Sequence, residues 1–93
     1  MAQTKSILKV SIRQIKAGRA LLAWSQEQLA AAAEVSIPTI KRLEANDGPV
    51  GGRGRTVEKI LNSIESAGIE FIHENGGGPG VRLKKTKREA RKK

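Results

Sequence analysis

Residues 26–44, with the sequence QEQLAAAAEVSIPTIKRLE, have the apolar spacing of two short helices that cross at a tight turn. The side chains predicted to be buried where these helices meet are Leu29, Ala30, Val35, Ile40 and Leu43. The small side chain of Ala30 allows the helices to approach closely. The side chains left to face outward near and along the second helix are Ser36, Ile37, Pro38, Thr39, Lys41 and Arg42. A helix held in this way can enter the major groove of duplex DNA.

This pattern is that of a helix-turn-helix, and it resembles the lambda-repressor-like (xenobiotic-response-element) family of bacterial and phage regulators. The resemblance covers roughly residues 12–68. The residues that carry it are Arg19, Ser25-Gln26, Leu29-Ala30, Val35-Ser36, Ile40 and Leu43-Glu44. Residues 68–83 are also similar to a small alphaproteobacterial-type subgroup of such regulators. The resemblance implies a mainly α, four-helix DNA-binding domain that recognises double-stranded DNA by sequence.

The resemblance also implies roles for individual residues. The position of Gln26 contacts a phosphate, and the positions facing base edges are Ser36, Ile37, Pro38 and Arg42. Arg42 is the strongest candidate, since a guanidinium group can donate two hydrogen bonds to guanine. Ile37 and Pro38 have no side-chain donor, so they could read only thymine methyl groups or DNA shape. Thr39 could read a base by either chemistry, and Lys41 suits a phosphate.

Two further expectations concern the framework of the motif. By resemblance, Arg19 and Glu44 form an ion pair that ties the first helix to the end of the third; the alternative is two solvated charges. Most relatives have glycine at the turn, where the backbone is left-handed, whereas this chain has Glu34. A residue other than glycine there costs about 1 kcal/mol.

The rest of the chain is divided by its turn and cap signals. Ser11 to Gln14 has the spacing of a capping box and begins a first helix that we expect to end near Ala23. Thr56 is the expected cap of a fourth helix that stops at Gly68. Residues 69–72 and 81–84 read as the strands of a β-hairpin. We therefore expect a helix-turn-helix domain at 11–68, a hairpin extension at 69–84 and a basic disordered tail at 85–93.

The formal net charge of +9 is concentrated at the C-terminal end. Residues 82–93 hold eight basic side chains and one acidic one, Glu89, whereas residues 1–81 are nearly balanced. The tail could therefore bind phosphates or merely aid solubility. Arg53 and Arg55 lie in a glycine-rich loop, residues 48–55, and are candidate phosphate ligands, although a solvated basic loop is an alternative.

Several classes of function are disfavoured by composition. The chain has no cysteine and one histidine, His73, and its carboxylates are not clustered, so we expect no enzyme, cofactor or metal site. The N-terminus has no long apolar stretch, and no membrane association is expected. We expect a cytoplasmic, nucleoid-associated bacterial protein.

A homodimer is expected, because one recognition helix reads only a few base pairs and symmetry doubles the contact. The candidate dimer surfaces are the hairpin edge with Phe71 and the apolar segment 7–10. Repression is favoured over activation, because occupancy alone can block a polymerase. The alternatives are an antitoxin or anti-activator that mainly binds a protein partner, and an RNA-binding protein that uses the basic tail.

Overall fold

The structure is a computed structural model that describes residues 10–48 and 54–84. Within these two ranges the chain forms a compact, mainly helical unit with an antiparallel β-hairpin. In chain order its elements are α1 (Ile12–Leu21), α2 (Gln26–Ala33), α3 (Ile37–Glu44), α4 (Gly54–Ser66), β1 (Ile69–Ile72) and β2 (Gly80–Leu83). The coarse architecture predicted from the sequence is confirmed.

Serine capping boxes begin the first two helices. The Ser11 hydroxyl accepts a hydrogen bond from the Gln14 amide, and the Gln14 side-chain oxygen accepts one from the Ser11 amide. Ser25 and Gln28 repeat this arrangement at the start of α2. Each box satisfies amide groups that the start of a helix would otherwise leave unpaired. The predicted start of the first helix is confirmed.

The first helix ends at Leu21, earlier than the predicted end near Ala23. Ala23 has a φ of 59°, in the left-handed region, so the helix cannot continue through it. The Ala23 amide donates to the carbonyl of Ala20, and the Trp24 amide donates to that of Arg19. These bonds satisfy carbonyl groups at the helix end. Trp24 itself is half-buried and packs against the core.

The fourth helix begins at Gly54, so the prediction of Thr56 as its cap was wrong. Gly54 has a φ of 78°, a conformation that glycine adopts without steric cost. The chain can therefore turn into the helix before it reaches Thr56, which lies exposed in the first turn. The predicted stop is confirmed: α4 ends at Ser66, and Gly68 follows with a φ of 119°.

The core is aliphatic and draws on every helix and on the hairpin. Its largest fully buried side chains are Ile15, Leu29, Ile40, Ile60, Leu61, Ile64, Ile69 and Val10. The buried side chains of α4 form a stripe along one face of the helix, with Val57 half-buried beside it. Fully burying one such side chain contributes about 1.5–3 kcal/mol. Because Val10 is in the core, it is not available as a dimer surface; the other residues of the segment 7–10 lie outside the described ranges.

Gly18 allows α1 to approach α4 and β1 closely. A Cβ atom on Gly18 would lie 3.1 Å from Cγ2 of Ile64 and 3.4 Å from Cγ2 of Ile69. A larger residue would therefore push these elements apart, in a core that packs with few voids.

The two strands pair in an antiparallel register that sets Ile69 opposite Leu83 and Ile72 opposite Gly80. The first strand lies where it was predicted, whereas the second is shifted by one residue and begins at Gly80. Pro79 has no amide hydrogen, so Gly80 is the first residue after the loop that can donate to the ladder.

Phe71 does not form part of an exposed hairpin surface, and its prediction as a dimer contact was wrong. Ile69 and Phe71 alternate with Glu70 and Ile72 along β1, and the first two point into the core. Only 6% of Phe71 is exposed. The hairpin therefore contributes two side chains to the same core as the helices.

A side-chain amide joins the hairpin to the start of α1. The Nε2 atom of Gln14 donates to the carbonyl oxygens of Ile72, at 3.1 Å, and Gly80, at 2.8 Å. These two residues are the last of β1 and the first of β2. Gln14 is buried and uses its oxygen in the capping box, so a single side chain holds three backbone groups.

The turn between α2 and α3 has the predicted left-handed residue. Glu34 has φ 60° and ψ 44°, and its side chain is exposed. We expect Glu34→Gly to raise the free energy of unfolding by about 1 kcal/mol, because glycine adopts this conformation without strain. For a domain of this size the melting temperature should rise by roughly 4–8 °C, measured by thermal denaturation followed by circular dichroism.

The matched control is Glu27→Gly, the same chemical change inside α2. Glycine inside a helix costs about 1 kcal/mol, so this variant should melt at a lower temperature than the wild type. If Glu34→Gly were destabilising as well, strain at Glu34 would not limit the stability of the turn.

Candidate functional site

The helices α2 and α3 meet across the short turn formed by Glu34, Val35 and Ser36. The Val35 amide donates to the carbonyl of Ala30 at 3.0 Å, which closes the end of α2. Val35 then packs against the core, and the Ser36 hydroxyl accepts a hydrogen bond from the Thr39 amide to cap α3. The turn is thus anchored by an apolar contact and both helix ends are satisfied.

One side of α3 is anchored and the other is open. Ile40 is fully buried and Leu43 packs partly against the core. The opposite side, which we call the outer face of α3, consists of exposed residues. These are Ser36, Ile37, Pro38, Lys41 and Arg42.

The outer face changes character along the helix. Ile37 and Pro38 make its first turn apolar, whereas Lys41 and Arg42 make its last turn basic. Side chains four positions apart lie on the same side of a helix, so Pro38 is followed by Arg42 and Ile37 by Lys41. The carboxylate of α3, Glu44, is buried and paired, so it does not oppose the two exposed cations.

Thr39, another predicted base-reading residue, is half-buried at the edge of this face. Its hydroxyl lies 2.8 Å from that of Ser36, within hydrogen-bonding distance. One of the two hydroxyl protons is therefore used inside the protein. The pair keeps one hydroxyl proton that can be donated to another group.

The expected ion pair between Arg19 and Glu44 is present and is largely shielded from solvent. Nε and Nη2 of Arg19 each donate to a different carboxylate oxygen of Glu44, both at 2.8 Å. The side chain of Glu44 is 4% exposed and that of Arg19 is 21% exposed. Nη1 of Arg19 also donates to the carbonyl of Trp24. The planar guanidinium thus links α1, the chain before α2 and the end of α3.

Gln26, predicted to contact a phosphate, has a contact inside the protein. Its Nε2 atom donates to Oε1 of Glu44 at 3.0 Å, and the residue is half-buried at the start of α2. Lys16, which was not predicted to take part, donates from Nζ to the backbone carbonyl of Glu44 at 3.2 Å. The signal for Lys16 was its position one helical turn before Arg19, on the same side of α1.

These contacts lower the pKa of Glu44. Burial alone would raise it, but hydrogen bonds from Arg19 and Gln26, together with the positive charges of Arg19 and Lys16, outweigh burial. The carboxylate is therefore ionised at neutral pH, and the end of α3 is fastened to α1 and α2 by a charged, fully hydrogen-bonded group.

The remaining predicted phosphate ligands lie apart from α3 in the sequence. Arg55 is exposed, but it lies in the first turn of α4 and not in the predicted loop, because the helix already begins at Gly54. Arg53 lies outside the described residues, as does the tail 85–93.

A scan against models of protein families and a search of curated proteins found no match to this chain. Among the helices of the described ranges, none has the length and apolar character needed to cross a bilayer. In the same ranges no three potential metal-ligating side chains of His, Asp or Glu come together.

Proposed function

We propose that this chain is a sequence-specific, double-stranded DNA-binding transcriptional regulator that inserts α3 into the major groove. The observation that carries the proposal is the outer face of α3. This face carries exposed cations and exposed apolar side chains, and the opposite side of the helix is fixed in the core. A helix of this kind fits the major groove, where side chains reach base edges.

The way α3 is held also supports this role. A recognition helix must keep its orientation, since a base contact depends on side-chain positions to within a fraction of an ångström. Here Ile40 anchors the middle of α3, and Glu44 fastens its end to Arg19 and Gln26. The exposed guanidinium of Arg42 therefore projects from a well-fixed backbone.

Within this proposal the fold is lambda-repressor-like, and the protein acts as a homodimeric repressor in the bacterial cytoplasm, bound to the nucleoid and without enzymatic activity. Lys41 and Arg55 contact phosphates. They share this role with Gln26, which uses the part of its amide that Glu44 leaves free.

Dimer half-sites would lie about 34 Å apart, one turn of B-DNA. Two protein chains should then bind one palindromic duplex, as measured by analytical ultracentrifugation.

The test is selection of bound sequences from a random duplex library, followed by affinity measurements on the selected site. We expect Arg42→Ala to weaken binding of that site by about 1–3 kcal/mol, because the variant loses a bidentate contact with guanine. It should also lose discrimination at a single base pair. Fluorescence anisotropy at fixed salt measures both effects.

The matched control is Arg82→Ala, which removes the same side chain from the hairpin. Arg82 is exposed on β2 and pairs with Glu70 of β1. This variant should keep the wild-type base preference. If Arg42→Ala and Arg82→Ala behaved alike, Arg42 would not be a base reader. If the pure protein selected no sequence, the DNA-binding proposal would fail and the antitoxin or anti-activator alternative would be favoured.

A further inference from the structure

The first turn of α3 exposes an aliphatic side chain that does not belong to the hydrophobic core. Ile37 is 37% exposed, one of the large apolar side chains that the described surface leaves open. The apolar contact that fixes the start of a helix uses the residue before the cap and the fourth helical residue. In α3 these positions are Val35 and Ile40, and both pack in the core. Ile37 is therefore free to contact a ligand.

The polar groups beside Ile37 leave few hydrogen-bonding positions open to a ligand. The Ser36 hydroxyl accepts from the Thr39 amide at 3.2 Å and shares a hydrogen bond with the Thr39 hydroxyl at 2.8 Å. Pro38 has no backbone donor and no polar side chain. The first turn of α3 thus presents an aliphatic surface flanked by one available hydroxyl proton.

We infer that Ile37 reads the C5-methyl group of a thymine in the same half-site in which Arg42 reads a guanine. This inference rests on the proposed function and extends it to the bases that are recognised. The N-terminal residues of a recognition helix lie where they contact base edges. In the major groove of unmodified DNA, thymine is the base that offers a methyl group, and the other groups that identify the bases are polar.

The match between Ile37 and thymine follows from the chemistry of the two groups. An aliphatic side chain gains by covering the thymine methyl group, whereas over a polar base edge it would remove water without supplying a hydrogen bond. The single hydroxyl proton left by Ser36 and Thr39 can be donated to a neighbouring acceptor such as O4 of the same thymine. α3 would therefore read thymine with its first turn and guanine with its last.

The experiment uses the full chain and the sequence that it selects from a random duplex library. Each thymine of the half-site is replaced singly by deoxyuridine, which removes the C5-methyl group and keeps base pairing. We expect one position at which the wild-type protein binds about fourfold more weakly, the change that corresponds to one buried methyl group. Fluorescence anisotropy at constant salt measures the affinities.

Ile37→Ala completes the comparison. It should bind the thymine duplex about fourfold more weakly than the wild type does and should no longer distinguish thymine from deoxyuridine at that position. The control is Leu21→Ala, which shortens another exposed aliphatic residue, 46% exposed at the end of α1. This variant should keep the wild-type sensitivity to deoxyuridine.

Two results would overturn the inference and leave DNA binding intact. One is a wild-type protein that is insensitive to every deoxyuridine substitution. The other is a sensitive thymine whose effect is the same in Ile37→Ala as in the wild type. Failure to bind any duplex would instead refute the proposed function itself, so the two failures are distinguishable.

Discussion

Replacing Arg19 with methionine is expected to lower the free energy of unfolding by about 3–5 kcal/mol. The substitution leaves the buried carboxylate of Glu44 without its bidentate partner, and an uncompensated buried charge is costly. This is a large part of the roughly 5–15 kcal/mol that stabilises a typical small domain. Urea denaturation followed by circular dichroism measures the change.

The matched control is Arg13→Met, which removes an arginine from the same helix. Arg13 pairs with Asp47, but their side chains are 79% and 63% exposed. Such surface pairs contribute little to stability, because water and salt screen both charges. The double variant Arg19→Met/Glu44→Gln should be less destabilised than the sum of the two single variants. Additive effects would mean that the two groups do not depend on each other.

The same pair sets the response of the fold to acid. Because the pKa of Glu44 is lower in the folded protein than in the unfolded chain, its ionised form stabilises the fold at neutral pH. This stabilisation is complete above the unfolded pKa of about 4.3 and is lost as pH falls through the lower pKa of the folded state. Denaturation between pH 3 and 7 should show less of this loss in Glu44→Gln.

If the chain binds DNA as proposed, deleting residues 85–93 is expected to weaken that binding strongly and to reduce its salt dependence. The deletion removes six lysine and arginine side chains. If all six meet phosphates, the slope of log affinity against log salt should flatten by about five units, roughly 0.9 per contact. Anisotropy titrations of one duplex over a series of salt concentrations measure the slope.

A variant with the residues of the tail in reverse order is the control, since it keeps the charge and changes the sequence. It should retain the wild-type slope if the tail acts through charge alone. If the slope did not change after the deletion, the tail would not contact phosphates, and its charge would serve solubility.

The elements of the fold could be predicted because their signals are local. Ser11, Ser25 and Ser36 each mark a helix start through a hydrogen bond within three residues, and the stripe of α4 follows a helical repeat. The end of α1 could not be placed in this way. Alanine is a good helix former, so the sequence gives no sign that Ala23 adopts a left-handed conformation.

The tertiary contacts of polar residues were harder to predict. The capping box alone accounts for a glutamine at position 14. The sequence therefore does not indicate that Gln14 also bonds to both strands. The resemblance implies a phosphate contact for Gln26, and it gives no indication of the bond that Gln26 makes to Glu44 inside the protein. A side-chain amide has several donor and acceptor sites, and spacing along the chain identifies only a partner that is near in sequence. The pair of Arg19 and Glu44 was foreseen through resemblance to a family.

The bonds from Gln14 also make the loop at residues 73–79 a suitable site for attaching a chemical label. The two residues that bound this loop are held from α1, so its own sequence need not keep the strands together. At Gly77 an added Cβ would meet nothing closer than Oδ1 of Asn75, at 3.6 Å. A cysteine at Gly77 would be the single thiol of a chain that otherwise has none. It would carry one fluorophore per molecule, attached to a loop that can be altered without disturbing the helices or the strands.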